Sequence, residues 1–256
     1  MKVNIYLNKS IEENAGLYYE KAKKAKKKIE GAKKALEESV RKLGKLEKAE
    51  KIEESKKKET VKRKNKWYEK FHWFISSEGF LVIGGRDSTS NEIVIKKHTD
   101  TNDLVLHTDL AGSPFFVIKA EKRKIGKKTI REAADATVTF SKVWKLGLKT
   151  TPTFYVKPEQ VSKKAKAGEY LTKGAFMIYG KTNYIENEVN LAVGMKDGAI
   201  MTGPIEAVKS NCKEHIVVVQ GREKTSQIAK RIRHKLGGEL DEIIRALPAG
   251  GCEIHA

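Results

Sequence analysis

Residues 67–97 read WYEKFHWFISSEGFLVIGGRDSTSNEIVIKK, and this stretch decides the fold. Trp73 to Ser76 and Phe80 to Ile83 are short runs of aromatic and β-branched residues, and the Glu78-Gly79 pair between them marks a hairpin turn. The second run ends on Gly84-Gly85, after which Ser90 to His98 carries a helical pattern. Toward the C-terminus, Leu104 to His107, Phe115 to Lys119, Thr153 to Lys157, Phe176 to Tyr179, Asn190 to Met195 and Ile216 to Gln220 read as further strands. One helix is expected from Thr129 to Leu146, with Ile130, Ala133, Ala134 and Val138 inward. Two more close the chain, Lys224 to Leu236 and Glu239 to Leu247, with Gly237-Gly238 between them and Pro248 as the stop. No period of 20–50 residues recurs, which excludes a solenoid. The domain class is α+β.

Upstream of this stretch the character changes. From Ile11 to about Lys64 there is no Pro, few β-branched residues, and a supply of Lys, Glu, Ala and Leu that favours helix. Ala22, Ala25, Ile29, Ala32, Leu36, Ser39, Leu43, Leu46, Glu50 and Glu53 follow a 3,4 alternation, a coiled-coil seam that fades after Leu46. Ser10 with Glu13 has capping-box spacing, so the helix is expected to start near Ile11. Met1 to Leu7 alternates like a short strand. A helix carried through some 55 residues reaches on the order of 80 Å and needs a partner helix.

The chain has 256 residues, with 52 Lys or Arg against 33 Asp or Glu, a formal charge of +19. Such a surplus implies polyanionic partners, and nucleic acid is the best fit because phosphate neutralisation supplies most non-specific affinity. A membrane surface is the weaker alternative: the basic stretch Lys21 to Lys34 has an Ala-rich stripe and no aromatic residue after Tyr19. No apolar run approaches the roughly 20 residues that cross a bilayer, and the start lacks the pattern of a signal peptide. A soluble, intracellular protein is expected. Cys212 and Cys252, 40 positions apart, indicate free thiols rather than a disulfide framework or a zinc site.

Two segments could carry chemistry. Gly84-Gly85 presents Arg86 and Asp87, and the guanidinium offers a fork suited to phosphate or carboxylate. The alternative is a tight turn with a local ion pair. The pattern is neither a Walker loop nor a dinucleotide fingerprint. In DLVLHTDLAGSPFFVIK, Asp103 to Lys119, His107 and Asp109 lie two apart at a strand end, before Gly112-Ser113-Pro114. A hydrolase would use Ser113, His107 and Asp109 as a triad. Such close neighbours seldom reach triad geometry and no nucleophile elbow surrounds Ser113, so a structural or RNA-contacting cluster is the better reading. His98, Asp103, His107 and Asp109 show no metal-ligand spacing, and no metal is expected. Trp67, Tyr68, Phe71, Trp73 and Phe74, beside Lys64, Lys66 and Lys70, could stack bases. A helix-to-sheet packing seam is favoured for them.

Together with GEYLTKGAFMIYGKTNY, Gly168 to Tyr184, these two segments resemble the NFACT-R domain of the NFACT family. The opening NKSIEENAGLYYEKAKKAKKK is similar to the start of that family's returning coiled-coil segment. The resemblance implies a long basic coiled-coil arm over residues 1–70, a mixed α/β NFACT-R domain over 71–197, and an unmatched C-terminal α/β extension with a basic helix over 198–256. It implies a cytoplasmic, non-catalytic RNA-binding module of ribosome-associated quality control, without cofactor or metal. Its partners would be tRNA and the large ribosomal subunit, in rescue of stalled chains and C-terminal tailing. Family positions carry over to Arg86, Asp87, Asn91 and Glu92 of the first motif, His107, Asp109 and Gly112 of the second, and Gly168, Tyr170 and Gly174 of the third. Lys96 and Lys97, closing the first motif, join the expected RNA contacts. The family's N-terminal NFACT domains and outgoing coiled-coil half are absent from the sequence. They, or a second copy through the arm, are the expected partners of the seam. The alternatives are the hydrolase at His107 and Asp109 and a coiled-coil scaffold that binds no RNA. Lys and Glu enrichment suggests a heat-adapted or archaeal source.

Overall fold

The capping box at Ser10 is formed in the computed structural model of the protein, which describes residues 4–59, 65–164 and 171–255. Ser10 Oγ accepts the Glu13 amide at 3.1 Å, and the Glu13 carboxylate accepts the Ser10 amide at 2.9 Å. Helix α1 then runs Ile11–Glu59. Its seam residues Ile29, Leu36 and Leu43 are each more than half exposed; Leu46, Glu50 and Glu53 lie outside the described side chains. The expected strand at Met1 to Leu7 is not formed over residues 4–7, and Met1 to Val3 lie outside the described residues. A strand needs a neighbour, and here the helix satisfies the leader instead. The buried Asn14 side chain takes the Tyr6 amide at 2.9 Å and donates to the Tyr6 carbonyl at 3.0 Å.

The chain divides into two compact units, Met1–Arg63 and Lys64–Ala256. The second begins with β1 (His72–Ile75) and β2 (Leu81–Gly84), paired antiparallel around the expected Gly79 turn. There follow α2 (Ser88–Lys97), β3 (Leu104–Thr108), β4 (Phe116–Ile118), α3 (Lys127–Thr139), α4 (Lys142–Leu146) and β5 (Thr153–Val156). The expected single helix from Thr129 to Leu146 is thus two helices. Ser141 breaks it: its hydroxyl accepts the Val143 amide at 3.1 Å as the N-cap of α4 and donates to the Val138 carbonyl at 2.7 Å. A small ribbon of β6 (Val161–Ser162) and β7 (Met177–Ile178) precedes β8 (Asn183–Ile185). The main sheet is antiparallel throughout, in the order β1-β2-β4-β3-β5-β8.

The remaining strands, β9 (Ala192–Lys196), β10 (Ala199–Gly203), β11 (His215–Glu223) and β12 (Cys252–Ile254), form a second sheet in the order β10-β9-β11-β12. Helices α5 (Ile205–Asn211), α6 (Thr225–Leu236) and α7 (Leu240–Ala246) accompany it. Strands β6, β8, β10 and β12 and helix α5 are additions to the sequence reading. The expected division after residue 197 falls in the turn of the β9–β10 hairpin. Asp197 and Gly198 both have positive φ there, as a two-residue hairpin turn requires. The hairpin serves two cores through its alternating faces. Ala192 and Met201 join the cluster of Phe71, Phe74, Ile83, Leu106 and Phe116, while Val193 and Ile200 join that of Ile228, Ile232 and Ile243. Of the aromatic junction, Phe71, Trp73 and Phe74 are buried in the first core, the packing role favoured from sequence; Trp67 stays 46% exposed, stacked on His98 at 4.4 Å.

Candidate nucleic-acid interface

Three separated segments meet at the C-terminal end of β2. Gly84 and Gly85 are glycines because nothing larger fits: a Cβ on Gly84 would lie 2.4 Å from the Phe116 ring, and one on Gly85 would lie 1.9 Å from Asn91 Oδ1. Asp87 follows as the N-cap of α2, accepting the Ser90 amide at 2.7 Å, while Ser90 Oγ accepts the amides of Arg86 and Asp87. Asn91, buried, accepts the Phe115 amide at 3.1 Å and so ties α2 to the second segment.

In that second segment the His107 ring stacks on Phe115 with centroids 4.1 Å apart. Its Nε2 donates to the Ser113 carbonyl at 3.2 Å, and burial lowers its pKa, so the ring is a neutral Nε2–H imidazole at neutral pH. The third segment passes over the start of α2 at Gly174, whose amide donates to Glu92 at 3.1 Å. Together the three enclose a cleft of about 370 Å³. Its first wall is Gly85 to Ser88 with Asn91, its second runs from Ala111 to Phe115 beside His107, and its third is Thr172 to Phe176.

Of the residues expected to contact RNA, the structure brings Arg86, Asp87, Asn91, His107 and Gly112 to this cleft. Glu92, Asp109, Lys96 and Lys97 do not line it. Glu92 is held by Lys163 at 2.7 Å and Lys96 at 3.1 Å, and these partners, Lys163 first, pull its carboxyl down to about 2. Lys96 borders a separate cavity of about 300 Å³ together with Ile95, Val161 and Phe176. Lys97 is exposed in the last turn of α2, and Asp109 is exposed and accepts the Tyr184 hydroxyl at 3.3 Å. Gly168 and Tyr170 lie outside the described residues.

Two expectations are corrected by geometry. Arg86 does not offer an open fork. Its Nη2 donates to the Phe71 carbonyl at 2.9 Å and the Glu69 carbonyl at 3.4 Å, its Nε is buried without a hydrogen-bond partner, and burial pushes its pKa down to about 10. Replacing Arg86 by Ala is therefore expected to lower stability by about 1.5–3 kcal/mol, the range for a charged hydrogen bond. Thermal unfolding checks it; an unchanged melting temperature with lost RNA binding would restore the open-fork reading. Nor is the hydrolase triad assembled. Ser113 Oγ is buried against Thr108 Oγ1 and donates to the Leu110 carbonyl at 2.8 Å, His107 faces a carbonyl, and Asp109 is bonded to Tyr184.

Two cations missed from sequence stand at the cleft. Lys142, on the first turn of α4, places Nζ 3.3 Å from where a Gly112 Cβ would be, and Lys173 lines the third wall, its charge helping to lower the Asp87 pKa. Both are exposed, and neither has a salt-bridge partner among the described residues. Lys173 sits in the third motif beside Gly174, a weak signal; Lys142 gave none. Among the described residues no group of three or more His, Cys, Asp or Glu side chains could hold a metal ion, and no helix is long and apolar enough to cross a membrane. Cys212 and Cys252 are free and buried.

Residues 70–180 match the family model described as NFACT protein RNA binding domain. An archaeal Rqc2 homolog, aRqcH of Methanocaldococcus jannaschii, is 40% identical over 196 residues, 73% of this chain and 29% of that protein. The ribosome quality control complex subunit NEMF of Homo sapiens is 39% identical over 177 residues, 67% of this chain and 16% of its own length. Its Drosophila melanogaster homolog is 36% identical over 75% of this chain and 20% of that protein. The chain thus spans less than a third of each of these relatives. A solved structure, the C-terminal part of the fibronectin/fibrinogen-binding protein of Streptococcus suis, overlaps 50% of this chain and 48% of its own at 16% identity and a TM-score of 0.39, a likeness too loose to bear on the site.

Proposed function

Because the chain belongs to the NFACT family, in its C-terminal region, we propose that it is the RNA-contacting part of a ribosome quality control factor. One observation carries the reading: the three motif segments, far apart in sequence, enclose one cleft. The cleft is lined by the His107 and Phe176 rings and by Lys173, with Lys142 beside Gly112 at its edge. Rings that accept a base and cations that accept its phosphate suit a nucleotide. In this reading the ligand is tRNA on the large ribosomal subunit, in rescue of stalled chains and their C-terminal tailing. The work is non-catalytic and cytoplasmic. The open seam of α1 pairs with a helix from the N-terminal part of a longer family member or with a second copy.

Labelled tRNA titrated at two salt concentrations tests this. The full chain should bind with affinity falling steeply as salt rises. Replacing Lys142 and Lys173 together by Ala should weaken binding about tenfold and lower the salt slope by roughly 1.5, at 0.7–0.9 per lost phosphate contact, without altering the melting temperature. Weak binding with no salt slope would favour the scaffold reading, and an unchanged double variant would move the RNA away from this cleft.

A further inference from the structure

We propose that the RNA surface does not end at the cleft but continues as a basic track over α4 onto the solvent face of α6, where it takes the phosphate backbone of the same RNA. This rests on the RNA-binding reading above, and it concerns residues beyond the 70–180 family match.

The elements that carry the track are neighbours. Lys142 stands over Gly112 at the cleft, and Lys145 is one turn further along α4. The Lys145 Cα lies 3.3 Å from where a Gly250 Cβ would be. The Gly250 carbonyl accepts the Thr225 hydroxyl at 2.9 Å, and Thr225 opens α6. The neighbouring Gly251 carbonyl accepts Trp144 Nε1 at 3.0 Å, so the end of the chain bridges α4 to α6 on both sides.

Helix α6 contains no Asp or Glu. Its buried residues are Ile228, Ala229 and Ile232, which leaves Lys230, Arg231, His234 and Lys235 exposed, with Lys224 at the N-cap. Arg231 is paired with Glu223 at 2.9 Å, whereas Lys224, Lys230 and Lys235 have no ion-pair partner among the described residues. From Lys224 to Lys235 the helix rises about 16 Å, enough for several successive phosphates. An anionic membrane is the poorer fit, because an interfacial helix must insert an apolar face and the apolar face of α6 is already spent on the second core.

The test compares three variants of the full chain in tRNA titrations across salt. They are the cleft pair Lys142→Ala/Lys173→Ala, the helix triple Lys224→Ala/Lys230→Ala/Lys235→Ala, and a control triple Lys122→Ala/Lys124→Ala/Lys127→Ala on exposed lysines outside the track. The helix triple should lower the salt slope by roughly two to three and weaken binding tenfold or more, and the control triple should do neither. Circular dichroism should show all three folded alike. If the wild-type chain binds tRNA and the cleft pair weakens it, but the helix triple leaves slope and affinity unchanged, the track is wrong and the cleft reading stands. If both triples act equally, diffuse charge rather than a track is at work. If the wild-type chain ignores tRNA yet binds phosphatidylserine vesicles, both readings fall.

Discussion

Replacing His72 by Phe is expected to make the protein progressively more acid-resistant than the wild type below pH 6.5. His72 lies on β1 inside the first core, stacked on Phe140 at 4.0 Å, with its Nδ1 unbonded. Burial first, and then the Arg86 charge, push its pKa from 6.5 down to about 3. The unfolded chain therefore takes up this proton below pH 6.5 while the folded chain refuses it until near 3. Stability present above 6.5 is lost as the pH falls, at about 1.4 kcal/mol per unit and up to about 5 kcal/mol in all. Against a total of about 5–15 kcal/mol that is a large share. Asp135 has the opposite sign: burial raises its pKa from 3.8 to about 6, so its penalty is relieved as the pH falls through 6. Asp135 is common to both proteins and cancels in the comparison. Urea unfolding at pH 7.5, 6, 5 and 4.5 should show the gap between variant and wild type widening by roughly 2–3 kcal/mol from pH 6.5 to 4.5. Parallel curves would mean that His72 finds solvent or a partner when it protonates.

His72 also shows what a sequence can and cannot disclose. The strand was read from Trp73 to Ser76, one residue short of His72, and the packing of the His72 ring against Phe140, with Phe116 nearby, depends on residues more than 40 positions away. The same division holds elsewhere. The Ser10 capping box is a local agreement between side chain and backbone, and it reads directly; α2 begins at Ser88 behind the Asp87 N-cap, two residues before the expected Ser90. The break at Ser141 and the Asp197-Gly198 turn were also written locally, as an N-cap residue and a hairpin dipeptide. They were overridden by a continuous helical pattern and by a strand taken to stop at Met195. Strands β8 and β12, three residues each, have too little pattern to register. For the cleft, the motif segments were legible and the direction of the side chains was not. Arg86 turns inward because the Phe71 carbonyl, 15 residues earlier, awaits a donor, and Lys142 reaches Gly112 only because the two helices break between them.

Gly85→Ala is expected to cost more than any exposed substitution in this protein. The φ at Gly85 is ordinary, so backbone strain is not the reason; the new methyl would lie 1.9 Å from Asn91 Oδ1 and 2.7 Å from the Asn91 backbone nitrogen. A side-chain amide could rotate away, but the backbone nitrogen belongs to α2 and moves only if the helix does. Moving it breaks the Asn91 bond to the Phe115 amide at 3.1 Å and strains the Gly85 amide bond to the Phe115 carbonyl, also 3.1 Å. Overpacking costs about 1–3 kcal/mol and an orphaned buried amide about 1–3 more. The expected sum of about 2–6 kcal/mol corresponds to a fall in melting temperature on the order of 10 °C. Gly79→Ala is the comparison: its φ is +78 but no atom lies within 4 Å of the added methyl, so it should lose only about 1 kcal/mol. Since Asn91 and Phe115 join two walls of the cleft, the Gly85 variant should also bind RNA more weakly at temperatures where it is still folded, which the Gly79 variant should not. Equal melting temperatures for the two would show that α2 yields easily, and that the paired glycines serve the approach of a ligand instead of the approach of Asn91.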